Sequence, residues 1–400
     1  MLVAVFLYLA FRQKLRLPTP ASRAVAIFCL IWLASQCVTD IVRHSAFSDY
    51  ARGWSMIGLT LIFFVALCTL LYGQPQRIML YGWGLVAGTT LAFFISPNDY
   101  ARDYPWKFGL GDPLTLAVIL FASREKCPFH WKIALCATIG IVNVILGSRG
   151  EGGECMAVAL YLLVTRFVQK KAAANSKITM KSKAALMAAI VLGAAGIMWA
   201  YQYAATRGVL GEDARQKYAE ESGGKYGVLL GGRGDLLGAF AAIYDSPILG
   251  HGSWAKDWSY IIAEQQAMAL MGYQNSGEVS REELEEGVIP CHSWLFQAWV
   301  WAGIAGAAFW AWVFVLVARM LVRVYPVTVA LLPIMAFVGF VMLWNILFSP
   351  YGATERILFP YYLVLLMTCA DMVPRKVERA LRPTSSKRIV NIAMIPRPQH

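Results

Sequence analysis

Long apolar runs, set apart by short stretches that hold most of the charge, limit what this chain can fold into. The runs lie at about residues 1–11, 24–42, 54–72, 78–96, 110–123, 131–147, 153–168, 184–205, 293–318, 327–348 and 356–373. Crossing the hydrocarbon core of a bilayer takes about 20 apolar residues as a helix, or about 9–11 as a barrel strand. Most of these runs are too long for barrel strands, and in lipid only helices and closed barrels satisfy their own backbone. The expected fold class is therefore an all-α integral membrane protein of about eleven transmembrane helices. Charged residues make up 15% of the chain, where a soluble domain carries about 25%. The first and fifth runs are short. The fifth opens on Gly109-Leu110-Gly111-Asp112-Pro113, which predicts a broken helix at its start.

Orientation follows from Lys and Arg, which gather in cytoplasmic loops. Taken alternately, the segments 12–23, 73–77, 124–132, 166–183, 319–326 and 371–400 hold 23 of the 36 basic residues and 3 of the 24 acidic ones. That set is predicted to be cytoplasmic, with the C-terminus inside. The net charge of +12 is then topology, and no nucleic-acid partner is expected. Arg166, Lys170, Lys171, Lys177, Lys181 and Lys183 also suit anionic lipid headgroups. The same count puts the N-terminus outside, and residues 1–11 lack the charged start and cleavage site of a signal peptide. An upstream cytoplasmic segment is therefore expected before Met1. The predicted organisation is membrane helices over 1–205, a large exterior loop over 206–291, membrane helices over 292–373 and a basic tail over 374–400.

Six of the eight cysteines sit in apolar runs, Cys127 in a short basic loop and Cys291 alone in the large loop. No disulfide framework is expected from that pattern. There is no His-x-Glu-x-x-His, no paired Cys/His spacing and no dense carboxylate cluster, so neither a metal nor a cofactor is expected. A Gly-x-Ser-x-Gly elbow is absent too, which argues against an elbow-type hydrolase.

A structureless loop as long as 206–291 is improbable, so a small folded subdomain is expected there. Residues 235–244 (DLLGAFAAIY) read as a short apolar helix, and Asp245-Ser246-Pro247 turns the chain. Trp254, Trp258, Tyr260, Ile261 and Ile262 suggest a helix at headgroup level. Glu278 to Glu286 reads as a solvated acidic face. Three short exterior stretches stand out. Gly147-Ser148-Arg149-Gly150 precedes the seventh run, Gly231-Gly232-Arg233-Gly234-Asp235 opens the loop helix, and Pro290-Cys291-His292-Ser293-Trp294 opens the ninth run. Helix N-termini carry unpaired N–H groups and partial positive charge, and they bind anions. If the ends near Arg149, His292 and Arg356 converge with Arg233, they form an anion site whose guanidinium forks suit phosphate. Each element also has a plain reading: a snorkelling arginine, a flexible glycine turn, a capping histidine.

Together these stretches resemble the O-antigen ligase and polymerase superfamily of bacterial envelope glycosyltransferases. Ser148-Arg149-Gly150 lies on an exterior turn. Gly232-Arg233-Gly234 is followed by a short helix and by Asp245-Ser246-Pro247-Ile248-Leu249-Gly250-His251-Gly252, which is similar to the family's arginine, helix, Pro-x-x-Gly-x-Gly stretch. His292-Ser293-Trp294-Leu295-Phe296-Gln297, with Ala302-Gly303-Ile304-Ala305-Gly306 after it, is similar to the family's histidine, leucine, glycine pattern. The likeness covers the multi-span plan and above all residues 145–310. It implies a GT-C-like fold with about twelve spans, one more than this chain shows, and a bacterial inner-membrane location with the site facing the periplasm. It also implies a glycan donor on undecaprenyl diphosphate, without nucleotide or metal. Ligases pass the glycan to lipid A–core, polymerases to another lipid-linked repeat, and relatives to protein hydroxyls.

On that reading Arg149 and Arg233 stabilise the departing lipid diphosphate, with Arg207, Arg215 and Arg356 as weaker candidates. His292 is the expected general base, and His251, between glycines, is the second choice. A transporter or flippase is the rival class, with a structural or assembly role behind it. Charges deep in the runs are nearly absent, no repeat relates the halves, and the single long loop is lopsided.

Overall fold

Thr19 and Pro20 start the first long helix. The Thr19 hydroxyl accepts from Ser22 N at 2.9 Å, Ser22 Oγ accepts from Thr19 N at 3.0 Å, and Pro20 brings a helical φ to the first turn. The computed structural model describes residues 12, 15–174, 188, 193, 195–196, 199–273, 286–324 and 330–381. The first apolar run, much of the eighth, the acidic stretch up to residue 285 and the tail from residue 382 lie outside the described residues.

The helices are α1 (Pro20–Arg43), α2 (Phe47–Leu71), α3 (Pro75–Ile95), α4 (Asp99–Asp103), α5 (Gly111–Ala122), α6 (Phe129–Ile145), α7 (Arg149–Ala174), α8 (Glu212–Ser222), α9 (Val228–Gly231), α10 (Asp235–Asp245), α11 (Trp258–Leu270), α12 (Trp294–Ala302), α13 (Ile304–Val324), α14 (Leu332–Phe348) and α15 (Glu355–Leu381). Among the described residues there is no strand, only an isolated bridge between Lys256 and Val288. Among the described residues four helices, α1, α2, α3 and α13, are long and apolar enough to cross a membrane, and α6 and α14 are shorter apolar helices. This is the build of a helical membrane protein.

Burial separates the centre of the bundle from its rim. On α15 the consecutive residues Tyr361, Tyr362, Leu363, Val364, Leu365 and Leu366 are all buried, and α14 buries Leu332, Ile334, Met335, Val338, Met342 and Ile346. Helices buried on all sides belong in a core. By contrast α3 exposes Leu80, Leu91, Phe94 and Ile95, and α1 exposes Ile27, Leu30, Ile31 and Ile41. Apolar surface of this extent suits lipid rather than water. All eight cysteines are thiols.

Two apolar runs differ from a single straight span. Before the fifth, expected to open on a broken helix, a π-helical turn, Trp106–Leu110, runs into α5 through Leu110 and Gly111, both in helical backbone, so the chain changes pitch there without a break. The ninth, 293–318, is expected as one helix but forms two. It breaks at Gly303, whose φ is +64°. A Cβ at Gly303 would sit 1.9 Å from the Ile248 carbonyl oxygen, and Ile304 N donates to that same oxygen at 3.2 Å. The large polar loop thus reaches into the break, and only glycine leaves it room.

The described part of the large polar loop holds the helices α8 to α11. The chain turns after Asp245, at the end of α10. The aromatic stretch divides: Tyr260 and Ile261 lie on α11 and are buried, whereas Trp254 precedes it and packs on Trp301 at 4.5 Å.

Candidate active site

Ser293 caps α12: its hydroxyl accepts from Phe296 N at 3.1 Å and donates to the Ile346 carbonyl of α14 at 2.7 Å. The cap fixes the backbone on which His292 stands. Across from it, Asp235 is the first residue of α10. Its Oδ2 lies 2.7 Å from His292 Nδ1, and both side chains are half-buried. Phe240 and Phe296 pack edge to face at 4.9 Å and hold α10 against α12. The contact is at ion-pair distance and places a carboxylate beside the imidazole ring.

Arg149 is the first residue of α7. Its two Nη atoms donate to the two Glu221 carboxylate oxygens at 3.0 and 2.9 Å, and Nη1 also donates to the Tyr201 hydroxyl at 2.7 Å. The fork is thus held in one plane by a loop helix, α8. Arg233 lies over an aromatic shelf from α14, with its Cζ 5.4 Å from the Trp344 ring centre and 5.2 Å from that of Phe348. Gly150, beside Arg149, packs on the same Trp344 ring. Burial draws the Arg233 guanidinium below its ordinary pKa. Asp235 and Glu221 oppose that shift, and Arg149 adds to it. Asp235, Glu221 and Arg149 therefore lie within electrostatic reach of Arg233. Asp235 also contacts His292, so one carboxylate links the imidazole to the arginine, an arrangement with groups able to bind an anion and accept a proton.

The glycines around Arg233 form more than a flexible turn. A Cβ at Gly231 would fall 2.0 Å from the Glu221 carbonyl oxygen, so α9 meets the end of α8 backbone to backbone. This contact sets Glu221 under Arg149.

Other candidates lie elsewhere. Arg207 is exposed, 5.3 Å from the ring of its neighbour Tyr203. Arg215 makes an exposed pair with Glu212 at 3.4 Å. Arg356 donates to its own turn at Ala353 O (3.3 Å) and lines a cavity with Arg52. His251 Nε2 is 2.7 Å from the Ala242 carbonyl oxygen, and His251 N donates to Val300 O at 2.7 Å. These bonds give His251 a structural role in the loop.

The stretch from Ser246 to Ser253 is a tether. Buried Asp40, near the end of α1, accepts from Ser253 N (2.6 Å), Ser253 Oγ (2.8 Å), Ser45 Oγ (2.8 Å) and Trp54 Nε1 (2.8 Å). Arg43 donates to Gly250 O at 3.0 Å and to Ser246 Oγ at 2.7 Å. Gly252, at φ +96°, allows the approach, since a Cβ there would lie 2.5 Å from Ser45 Oγ.

Sequence reasoning missed Asp235, Glu221, Tyr201 and Asp40. Only Asp235 carried a signal, its place two residues after Arg233, and an acidic residue in a first helical turn has a plain electrostatic reading. Among the described residues no group of three or more His, Cys, Asp or Glu is placed to hold a metal ion. No family model, curated protein or solved structure matches the chain.

Proposed function

We propose that this protein is a glycosyltransferase of the O-antigen ligase type. It moves a glycan from undecaprenyl diphosphate to a sugar hydroxyl of lipid A–core at the periplasmic face of a bacterial inner membrane. The observation that supports the reading is Asp235, which contacts His292 and lies within electrostatic reach of Arg233, itself within reach of the Arg149–Glu221 pair, at the loop end of a bundle of apolar helices. The finer architecture, about eleven or twelve spans in a GT-C-like fold with the C-terminus inside, belongs to this proposal.

In the proposed step the acceptor oxygen attacks the anomeric carbon of the donor. Its proton passes to His292 Nε2, while Asp235 stabilises the imidazolium that forms. The bond from anomeric carbon to phosphate oxygen breaks, and its electron pair leaves on the lipid diphosphate. Arg149 and Arg233 take up that growing charge. In-line displacement inverts the anomeric centre. Glu221 keeps the Arg149 fork ordered and yields it to the diphosphate, a better bidentate partner with more charge.

A polymerase or a protein O-oligosaccharyltransferase shares this donor step and differs only in acceptor. A null mutant separates them on a lipopolysaccharide gel. Loss of the whole ladder with lipid-linked polymer retained identifies a ligase, and a single-repeat band identifies a polymerase. An unchanged ladder rejects both.

A further inference from the structure

We propose a second anion seat, distinct from the Arg149–Arg233 group, that takes a phosphate monoester carried on a membrane amphiphile. It lies between the start of α2 and the turn that opens α15. A cavity of about 310 Å³ is lined there by Arg52, Ser55, Trp254, Gly352, Ala353 and Arg356. That volume is at the lower end of small-molecule pockets, about 300–1,000 Å³. No residue of the Arg149 group lines it.

Two guanidinium groups from helices far apart in sequence face one cavity. Among the described residues neither makes an ion pair. The acidic groups nearby are engaged elsewhere. Glu286, within electrostatic reach of Arg52, pairs with Lys256 at 2.9 Å, as does Asp49 at 3.5 Å. Glu355, within electrostatic reach of Arg356, accepts from Gly352 N at 2.9 Å. Two arginines facing one cavity suit a dianion, because each fork offers two parallel donors.

The aromatic wall supports a ligand role. Trp254 is one of two non-glycine residues with positive φ among the described residues, at +48°. A bulky side chain rarely adopts that conformation unless its surroundings enforce it, and such positions cluster at ligand clamps. Here the ring packs on Trp301 at 4.5 Å, and Arg52 Cζ lies 5.9 Å from its centre. An arginine over an aromatic face keeps its in-plane N–H donors for another partner. Arg356 is steadied through Nε by Ala353 O, which leaves its terminal nitrogens toward a ligand.

A lipid-borne ligand follows from the position. α2 is long and apolar enough to cross a membrane, and the face that carries exposed Arg52 and Ser55 runs on to exposed Ile62. The seat thus sits where an amphiphile's head would meet α2 while its chains lie along it. This inference is independent of the transfer reaction, and its test reads binding alone.

The test uses the full chain in phosphatidylcholine nanodiscs, with phosphatidic acid as the phosphomonoester probe, phosphatidylglycerol as the phosphodiester control and inorganic phosphate as soluble competitor. Native mass spectrometry reads retained lipid. Wild type is expected to retain phosphatidic acid over phosphatidylglycerol by about tenfold, and Arg52→Gln with Arg356→Gln to remove that preference. Arg102→Gln, an exposed arginine at the same end, keeps it, and the thermal midpoint of the double variant matches wild type. Failure of millimolar inorganic phosphate to displace the lipid supports a lipid-borne ligand, and full displacement supports the phosphate seat but overturns its lipid source. Equal retention by wild type and the double variant overturns the seat, as does equal retention of both lipids. Loss of the preference in Arg149→Gln instead assigns it to the other cluster and also overturns the proposal.

Discussion

Asp235 Oδ2 lies 2.7 Å from His292 Nδ1, so the first residue of a loop helix meets a histidine at the head of a bundle helix. The pair spans more than fifty positions of sequence and closes only when α10 docks on α12. It gives the most direct test of the proposed chemistry.

His292→Ala should remove transfer by about 10²–10⁴-fold while the protein still assembles in membranes. Asp235→Asn keeps the shape but removes the charge that favours imidazolium. Its kcat should fall by on the order of 10²-fold or more, with little change in KM. The acidic limb of its rate–pH profile should move to lower pH, because a less basic imidazole loses its proton earlier. Full activity in purified His292→Ala sinks the base assignment, and an unmoved pH limb in Asp235→Asn sinks the orienting role.

Arg149 engages Glu221 through both Nη atoms. Lysine keeps the charge but offers no planar fork. Arg149→Lys should therefore recover only a minor part of what Arg149→Ala loses, a loss expected at about 10²–10³-fold in turnover. Steady-state rates with a lipid-diphosphate donor decide it, and full rescue by lysine contradicts a bidentate role.

The tether at Asp40 predicts a stability effect. Asp40→Ala leaves the Trp54 indole, the Ser45 and Ser253 hydroxyls and the Ser253 amide without their shared acceptor. The cost should be about 2–4 kcal/mol. Gly252→Ala should cost about 1–3 kcal/mol, from positive φ and the contact with Ser45. Thermal unfolding in detergent measures both, and a midpoint unchanged in either variant contradicts the tether.

Acid should loosen α11. Asp257 caps it, accepting from Ser259 N at 2.9 Å and Ser259 Oγ at 2.7 Å, and these bonds hold its carboxyl below the ordinary carboxylate pKa. A depressed folded-state pKa contributes stability above the unfolded value, about 3.9, and loses it as pH falls through the folded value. The site is exposed, so the cap is worth only about 1 kcal/mol. Hydrogen exchange over 258–270 should show wild type better protected than Asp257→Ala at neutral pH. The difference should shrink as pH falls below about 3.9 and vanish once pH is below the folded-state value. A difference that persists in acid excludes the carboxylate as its source.

Much of the fold was legible because membrane helices announce themselves locally. The apolar runs, the loop helix after Arg233 and the turn at Asp245 all rest on residue type and short spacing. The break at Gly303 did not, since its cause is the Ile248 carbonyl, brought in from the large polar loop. In the candidate site Arg149, Arg233 and His292 were legible as polar residues at helix ends. Their partners were not. Glu221 and Asp235 look like ordinary solvated or first-turn acids until folding brings each to its cation. Arg207, Arg215 and Arg356 carried the same local signal as Arg149, and the structure gives them different neighbours.

The sequence alone determined that this chain is helical, suited to lipid, and marked by one large polar loop, because hydrophobic length and charge placement are properties of contiguous residues. Tertiary structure decided which cations share a cluster, which carboxylate steadies His292, and that Gly250 and Gly252 serve a tether. Those outcomes depend on how α10 and the turn after it dock against α1 and α12. Contacts between distant segments leave no period or spacing in the chain to be read.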